Sequence, residues 1–203
     1  EDGIDINISQ TTFTNTSMSY NAVPSTNGTM NIIIDKCEFK GSQINSAPNE
    51  LTIEVSNSVF SYADGLYLHY HFNLNSLATR KATNCTFSNS RMFNVAEKQT
   101  YLNCLFYDVD LPMNSASYGG LYLFETCLFN NSYAIVPLTN NPQITVSNLN
   151  TTIASPLFMS ATPNSTDYLK LSRYSPARNA GDNAFIPTSM TKDLGGYDRI
   201  LEG

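Results

Sequence analysis

Asn84-Cys85-Thr86-Phe87-Ser88-Asn89 decides the fold, because the same phrase returns along the chain with only its linkers changing. Its other copies are Gln10-Thr11-Thr12-Phe13-Thr14-Asn15, Lys36-Cys37-Glu38-Phe39-Lys40-Gly41, Asn57-Ser58-Val59-Phe60-Ser61-Tyr62, Asn103-Cys104-Leu105-Phe106-Tyr107-Asp108 and Thr126-Cys127-Leu128-Phe129-Asn130-Asn131. A degenerate copy follows at Asn148-Leu149-Asn150-Thr151. Within the phrase a small or sulfur-bearing residue and a phenylalanine lie two apart, the period of a strand with one face turned inward. The phrase is bracketed mostly by Asn, Gly and Asp, residues that tolerate left-handed backbone angles. It reads as a short strand between two sharp corners.

A second alternating run precedes each corner, with inward positions five and three residues before the Cys position. These are Ile6 and Ile8, Ile32 and Ile34, Ile53 and Val55, Tyr122 and Phe124, and Ile144 and Val146, with weaker copies at Arg80 and Ala82 and at Gln99 and Tyr101. Each repeat thus supplies two abutting strands and a variable loop with room for a third. The phenylalanines at 13, 39, 60, 87, 106 and 129 are spaced by 19 to 27 residues, the period of stacked coils. A leucine-rich repeat needs a leucine ladder and a helical return that this sequence lacks. The expectation is an all-β, right-handed parallel β-helix with coils about 4.8 Å apart. Residues 1–154 form its coils and 155–203 an irregular C-terminal cap of the same domain.

The chain has 203 residues, 41% of them hydrophobic, so it can bury a core, and the continuous repeat argues for one elongated domain. Eleven basic residues against 17 acidic ones give a net charge of -6, which disfavours nucleic acid or an anionic membrane as partner. There is no apolar run of about eighteen residues to span a bilayer, and Glu1-Asp2-Gly3-Ile4-Asp5 lacks the basic and apolar regions of a signal peptide. Since Ile6 and Ile8 already belong to a coil, the sequence reads as a piece that begins within a solenoid. The abundance of Asn, Ser and Thr suits a secreted or surface protein with stacked turns.

All four cysteines, Cys37, Cys85, Cys104 and Cys127, hold the same inward position, so they read as a buried ladder of reduced thiols. A disulfide framework is the alternative for an even count in a secreted chain. Zinc is disfavoured because the chain has no CxxC pair or nearby histidine to serve it.

The main interruption of the rhythm is Ser61 to Thr79, where His69 and His71 alternate on one face. With Asp64 or Asp108 they would make a metal or acid-base site; solvated packing groups are the plainer reading. Arg80 and Lys81 follow. An inward Arg80 is unexpected, and a slip of one residue would turn both toward solvent, where either would serve as a lyase-type base. Leu105, Leu128 and Leu123 fall at outward positions, to be covered by the loops 111–120 or 61–79, or else left as a partner surface. Tyr62, Tyr67, Tyr70, Tyr107 and Tyr118 are the candidates for stacking on sugar rings.

The chain ends with Asp167-Tyr168-Leu169-Lys170-Leu171, Tyr174-Ser175-Pro176-Ala177-Arg178-Asn179-Ala180-Gly181-Asp182-Asn183 and Lys192-Asp193-Leu194-Gly195-Gly196-Tyr197-Asp198-Arg199-Ile200. This tail resembles the end of the choice-of-anchor Q domain proteins, with their leucine-containing strand, Ser-Pro-Ala-x-(Asp/Asn)-Ala-Gly segment and Asp-x-x-Gly-x-x-Arg segment. Arg178-Asn179 stands where Ile-Asp is usual. The resemblance implies a pectate-lyase-like β-helix, bacterial export and a cell-surface location. Asp182, Asp193 and Asp198 are expected to accept hydrogen bonds from loop amides, with calcium as the alternative ligand; no other cofactor is expected.

A lyase needs a base beside a stabilised uronate carboxylate, and a hydrolase needs paired acids flanking the bond. The sequence displays neither constellation: Glu38 and Glu54 are the main outward acids and read as solubilising charges. The expectation is a non-catalytic surface solenoid that binds a polysaccharide or host glycan, acts as an adhesin, or serves as a structural module. The alternative is a polysaccharide lyase or hydrolase on the same fold.

Overall fold

The computed structural model describes residues 4–20, 30–46, 51–61, 72–73, 79–91, 98–110, 121–130, 144–147, 155–162, 165–194, 196 and 198. In chain order its strands are β1 (Ile4–Ser9), β2 (Thr12–Thr14), β3 (Ser17–Tyr20), β4 (Met30–Asp35), β5 (Glu38–Lys40), β6 (Gln43–Ser46), β7 (Leu51–Ser56) and β8 (Val59–Ser61). They continue with β9 (Phe72–Asn73), β10 (Thr79–Thr83), β11 (Thr86–Arg91), β12 (Lys98–Leu102), β13 (Leu105–Asp110), β14 (Leu121–Glu125), β15 (Leu128–Asn130) and β16 (Ile144–Ser147).

Sheet A stacks β1, β4, β7, β10, β12, β14 and β16; sheet B stacks β2, β5, β8, β11, β13 and β15; sheet C stacks β3, β6 and β9. Every pairing between these strands is parallel and joins one coil to the next. The chain is a parallel β-helix. The degenerate copy at 148–151 lies outside the described residues.

The corners explain why the phrase repeats. Gln10, Lys36, Asn57, Asn84, Asn103 and Thr126 all take a positive φ between sheets A and B, as do Asn15, Gly41, Asn89 and Asp108 at the far end of sheet B. One left-handed residue turns the chain without breaking the inter-coil ladder. The amides of Gln10, Lys36, Asn57, Asn84 and Asn103 each still donate to a carbonyl of the next coil at 3.0 to 3.2 Å. Gly41 is required twice over, since it has a φ of 59° and an added Cβ would lie 2.3 Å from Asn15 Oδ1.

The interior is built of rows. Phe13, Phe39, Phe60, Phe87, Phe106 and Phe129 form a continuous ring stack with centroids 4.5 to 5.2 Å apart, which is the strand spacing passed on to side chains. Facing it, Ile34, Val55, Ala82, Tyr101 and Phe124 line the inside of sheet A.

The Cys row has a shared chemistry. Cys37, Cys85, Cys104 and Cys127 are buried and unbridged, and each Sγ donates to the carbonyl two residues earlier, at 3.3 to 3.4 Å. Where the row holds Thr11 or Ser58, the hydroxyl donates to the same carbonyl position at 2.8 and 2.7 Å. The position wants a short side chain with one donor, which Cys, Ser and Thr all supply. Burial pushes the Cys104 thiol well above its ordinary pKa, with Cys127 and Cys85 adding to the rise.

The C-terminal segment is irregular, with isolated bridges, turns and one short 3-10 helix at Asn183–Phe185. It runs back along the flank. Phe158 meets Tyr107 edge-on at 5.2 Å, on the outer side of sheet B in the fifth coil. Asp182 exchanges two 2.8 Å hydrogen bonds with the Asn103 side chain, its N–H donating to Oδ1 and its carbonyl accepting from Nδ2. Buried Met190 lies against Asn84 Nδ2, one coil further back. Lys192–Leu194 and Gly196 arrive beside the corners of the first two coils. The segment follows the A–B corner column from the late coils to the early ones, and its described contacts fall on this flank.

Candidate functional site

Among the described residues, three regions carry chemistry beyond plain packing: a polar cluster inside the core, the outer face of sheet A, and a cleft under the end of the C-terminal segment.

The core cluster keeps Arg80 at the inward position the repeat gives it and overturns the slip that was its alternative. Arg80 does not slip outward: its Cα aligns with inward Ile53 and Gln99, and it is 1% exposed, while Lys81 points out beside Glu54 and Thr100. Arg80 donates to Gln99 Oε1 at 2.9 Å and to the Tyr101 hydroxyl at 3.3 Å. Tyr101 in turn donates to Gln99 Oε1 at 2.8 Å, and Gln99 Nε2 donates to the Tyr122 hydroxyl at 3.3 Å. The guanidinium is housed because the next two members of its own row, Gln99 and Tyr122, are polar. Burial lowers the Arg80 pKa and raises those of Tyr101 and Tyr122. Enclosed in the stack, Arg80 cannot serve as a base for an external polymer.

Glu38 and Glu54 do not meet either. Glu38 is on sheet B, where it pairs with Lys40 at 3.0 Å and accepts from Thr12 Oγ1 at 3.3 Å; Glu54 is on sheet A. Of the tyrosines proposed for sugar stacking, Tyr107 is half-buried and packed on Phe158. Tyr62, Tyr67, Tyr70 and Tyr118, together with His69, His71 and Asp64, lie outside the described residues. Outward Leu105 and Leu128 are buried, Leu123 is half-buried, and the described ring contact on the sheet B face comes from the C-terminal segment. Asp182 caps the 3-10 helix by accepting from the Ala184 N–H at 2.8 Å, and Asp198 pairs with Lys192. Among the described residues no group of three or more His, Cys, Asp or Glu side chains is arranged to hold a metal.

The outer face of sheet A carries two rows of side chains in register. Asn7, Ile33, Glu54, Lys81, Thr100, Leu123 and Thr145 form one row in register, and Asp5, Asn31, Thr52, Thr79, Lys98 and Leu121 form the row beside it. Asp5, Asn7, Glu54, Lys98 and Thr145 are exposed, and Ile33 and Leu121 are 45% and 57% exposed. Six inter-strand steps make the face about 29 Å long.

The cleft has a volume of about 480 Å³. One wall is Gln10, Thr11, Thr12, Lys36 and Glu38, from the corners and strands of the first two coils; the other is Lys192, Asp193, Leu194 and Gly196. The second wall is a turn: Gly196 N–H donates to Asp193 O at 3.1 Å, and Lys192 bridges to Asp198 across it. Sequence reasoning did not find this cleft. Its one signal was the corner column itself, whose left-handed residues project side chains that a neighbouring segment can bind.

No family profile, no curated protein and no solved structure matches this chain.

Proposed function

We propose that this chain is a non-catalytic β-solenoid module of the extracellular space or outer cell surface that holds a glycan chain along the outside of sheet A. The observation that carries this reading is the pair of in-register rows on that face, in which Asp5, Asn7, Ile33, Glu54, Lys98, Leu121 and Thr145 are exposed. They alternate amides, hydroxyls and both signs of charge with the half-exposed aliphatics Ile33 and Leu121. An extended polymer of hydroxylated rings can meet such a face with hydrogen bonds from its edges and apolar contact from its ring faces. The likeness of the tail to choice-of-anchor Q domain proteins supports export and a surface location. A structural or adhesive role uses the same display.

The test is retention on an array of neutral and acidic polysaccharides, followed by incubation with pectins, alginates and glycosaminoglycans in the presence of calcium. Saturable retention without product is the expected result, weakened by replacing Lys81 and Lys98 with Ala. Ultraviolet absorbance from unsaturated products, or new reducing ends, would reverse the reading in favour of a lyase or hydrolase. Failure to bind any polymer would leave only the structural role.

A further inference from the structure

We infer that the cleft between the C-terminal segment and the first two coils is a separate binding site for a short, uncharged saccharide. This site is distinct from the polymer-binding face of sheet A, and its lining carries the inference. Gln10, Thr12, Lys36 and Glu38 approach from the solenoid, and Lys192 and Asp193 from the segment. Together they supply amide, hydroxyl and ammonium donors and carboxylate, amide and hydroxyl acceptors around one space. A sugar hydroxyl both donates and accepts, so it is satisfied by a wall of mixed sense and poorly by a wall of one sense.

Charge selects the ligand class. The two cleft lysines are matched by the two cleft carboxylates. The flanking charges are Asp35, 3.9 Å from Lys36, and Asp198, paired with Lys192, against Lys40, 3.0 Å from Glu38, so the surroundings hold no excess of positive charge. An anionic sugar would have to approach Glu38 and Asp193 on a chain of net charge -6, so a neutral ring is favoured. Leu194, half-buried in the same wall, offers an apolar spot for one ring face. The volume falls within the range usual for small-ligand sites, about 300 to 1,000 Å³. Because the two walls lie more than 150 residues apart in sequence, the site exists only when the C-terminal segment is docked.

The experiment uses the full chain and three neutral tetrasaccharide probes, built of glucose, galactose or mannose, with tetragalacturonate as the acidic probe. Amide chemical shifts and titration calorimetry are followed for the wild type, Glu38→Gln, Asp193→Asn and Lys170→Ala. Both cleft changes are nearly isosteric, and shift mapping on the wild type does not depend on how the variants fold. A neutral probe is expected to move the amides of Thr12, Lys36, Asp193 and Gly196, and either cleft variant to weaken it at least about tenfold. Lys170→Ala, which removes an exposed lysine outside both the cleft and sheet A, should leave it unchanged.

Shifts confined to sheet A, with full affinity in the cleft variants, would overturn the cleft while sparing the sheet A reading. Tighter binding of tetragalacturonate than of every neutral probe would overturn the ligand class. No binding by any probe at about 10 mM would remove the site, and the polymer array would then decide the sheet A reading by itself.

Discussion

Replacing Phe87 by alanine removes a ring that is 0% exposed, stacked at 5.0 Å on Phe60 and 5.2 Å on Phe106, and met edge-on at 5.8 Å by Tyr101. Truncating a buried phenylalanine costs about 3 to 5 kcal/mol, through lost transfer energy and the cavity left behind. Each favourable ring pair adds up to about 1 kcal/mol beyond area. With two stacked neighbours, rigid strands above and below, and no end at which the stack can collapse, Phe87→Ala belongs in the upper half of that range, about 4 to 5 kcal/mol.

Phe13 supplies the internal comparison. It is half-buried in the first described coil, and among the described residues its ring stacks on Phe39, at 4.8 Å. Phe13→Ala should therefore cost about 2 kcal/mol. Both are read from urea unfolding, with the slope checked for constancy so that a midpoint shift is a stability change. A Phe60/Phe87 double-mutant cycle then isolates the stacking energy, expected at about 1 kcal/mol. Equal costs at Phe13 and Phe87, or a cost below about 1 kcal/mol at Phe87, would refute the continuous stack.

Three further outcomes follow. Asn103→Gly keeps the left-handed corner, where φ is 52°, but removes both hydrogen bonds to Asp182; it should cost about 1 to 2 kcal/mol and speed proteolytic cutting within residues 155–198. Cutting confined to the coils, at an unchanged rate in the segment, would contradict the docking. Arg80→Ala, which empties a fully buried volume and removes the donor to Gln99 and Tyr101, should cost about 3 kcal/mol or more by urea unfolding; a change within about 0.5 kcal/mol would put the side chain in solvent. Stability should fall in alkali, because burial raises the thiol pKa of Cys104 and Cys37. The stability is full below the unfolded thiol value of about 8.5, and above it the unfolded chain releases protons that the folded chain keeps, at up to about 1.4 kcal/mol per pH unit for each protected thiol. Melting temperatures that stay level between about pH 7.5 and 9.5 would mean that the thiols are not sheltered.

The coil was legible in the sequence because everything that builds it is local and repeated. A donor-bearing small residue, a phenylalanine two positions on, two inward residues upstream and a left-handed corner recur in each of the six full copies, so one register rule placed the six stacked rings and four thiols. The same rule set Arg80 inward, where it lies; what failed was the alternative of a one-residue slip, which neglected its neighbours. Its burial is tolerable only because Gln99 and Tyr122 stand in its row one and two coils later, and that becomes visible only when the coils are aligned.

Only the tertiary structure decided the path of the C-terminal segment and, with it, the cleft. The ties that lay it along the corner column join residues 79 and 106 positions apart. They run through side-chain amides meeting a backbone and a thioether, contacts that impose no period on either stretch of sequence. Side chains such as Gln10 and Lys36 read locally as corner residues, and became walls of a site only when a distant turn was placed opposite them.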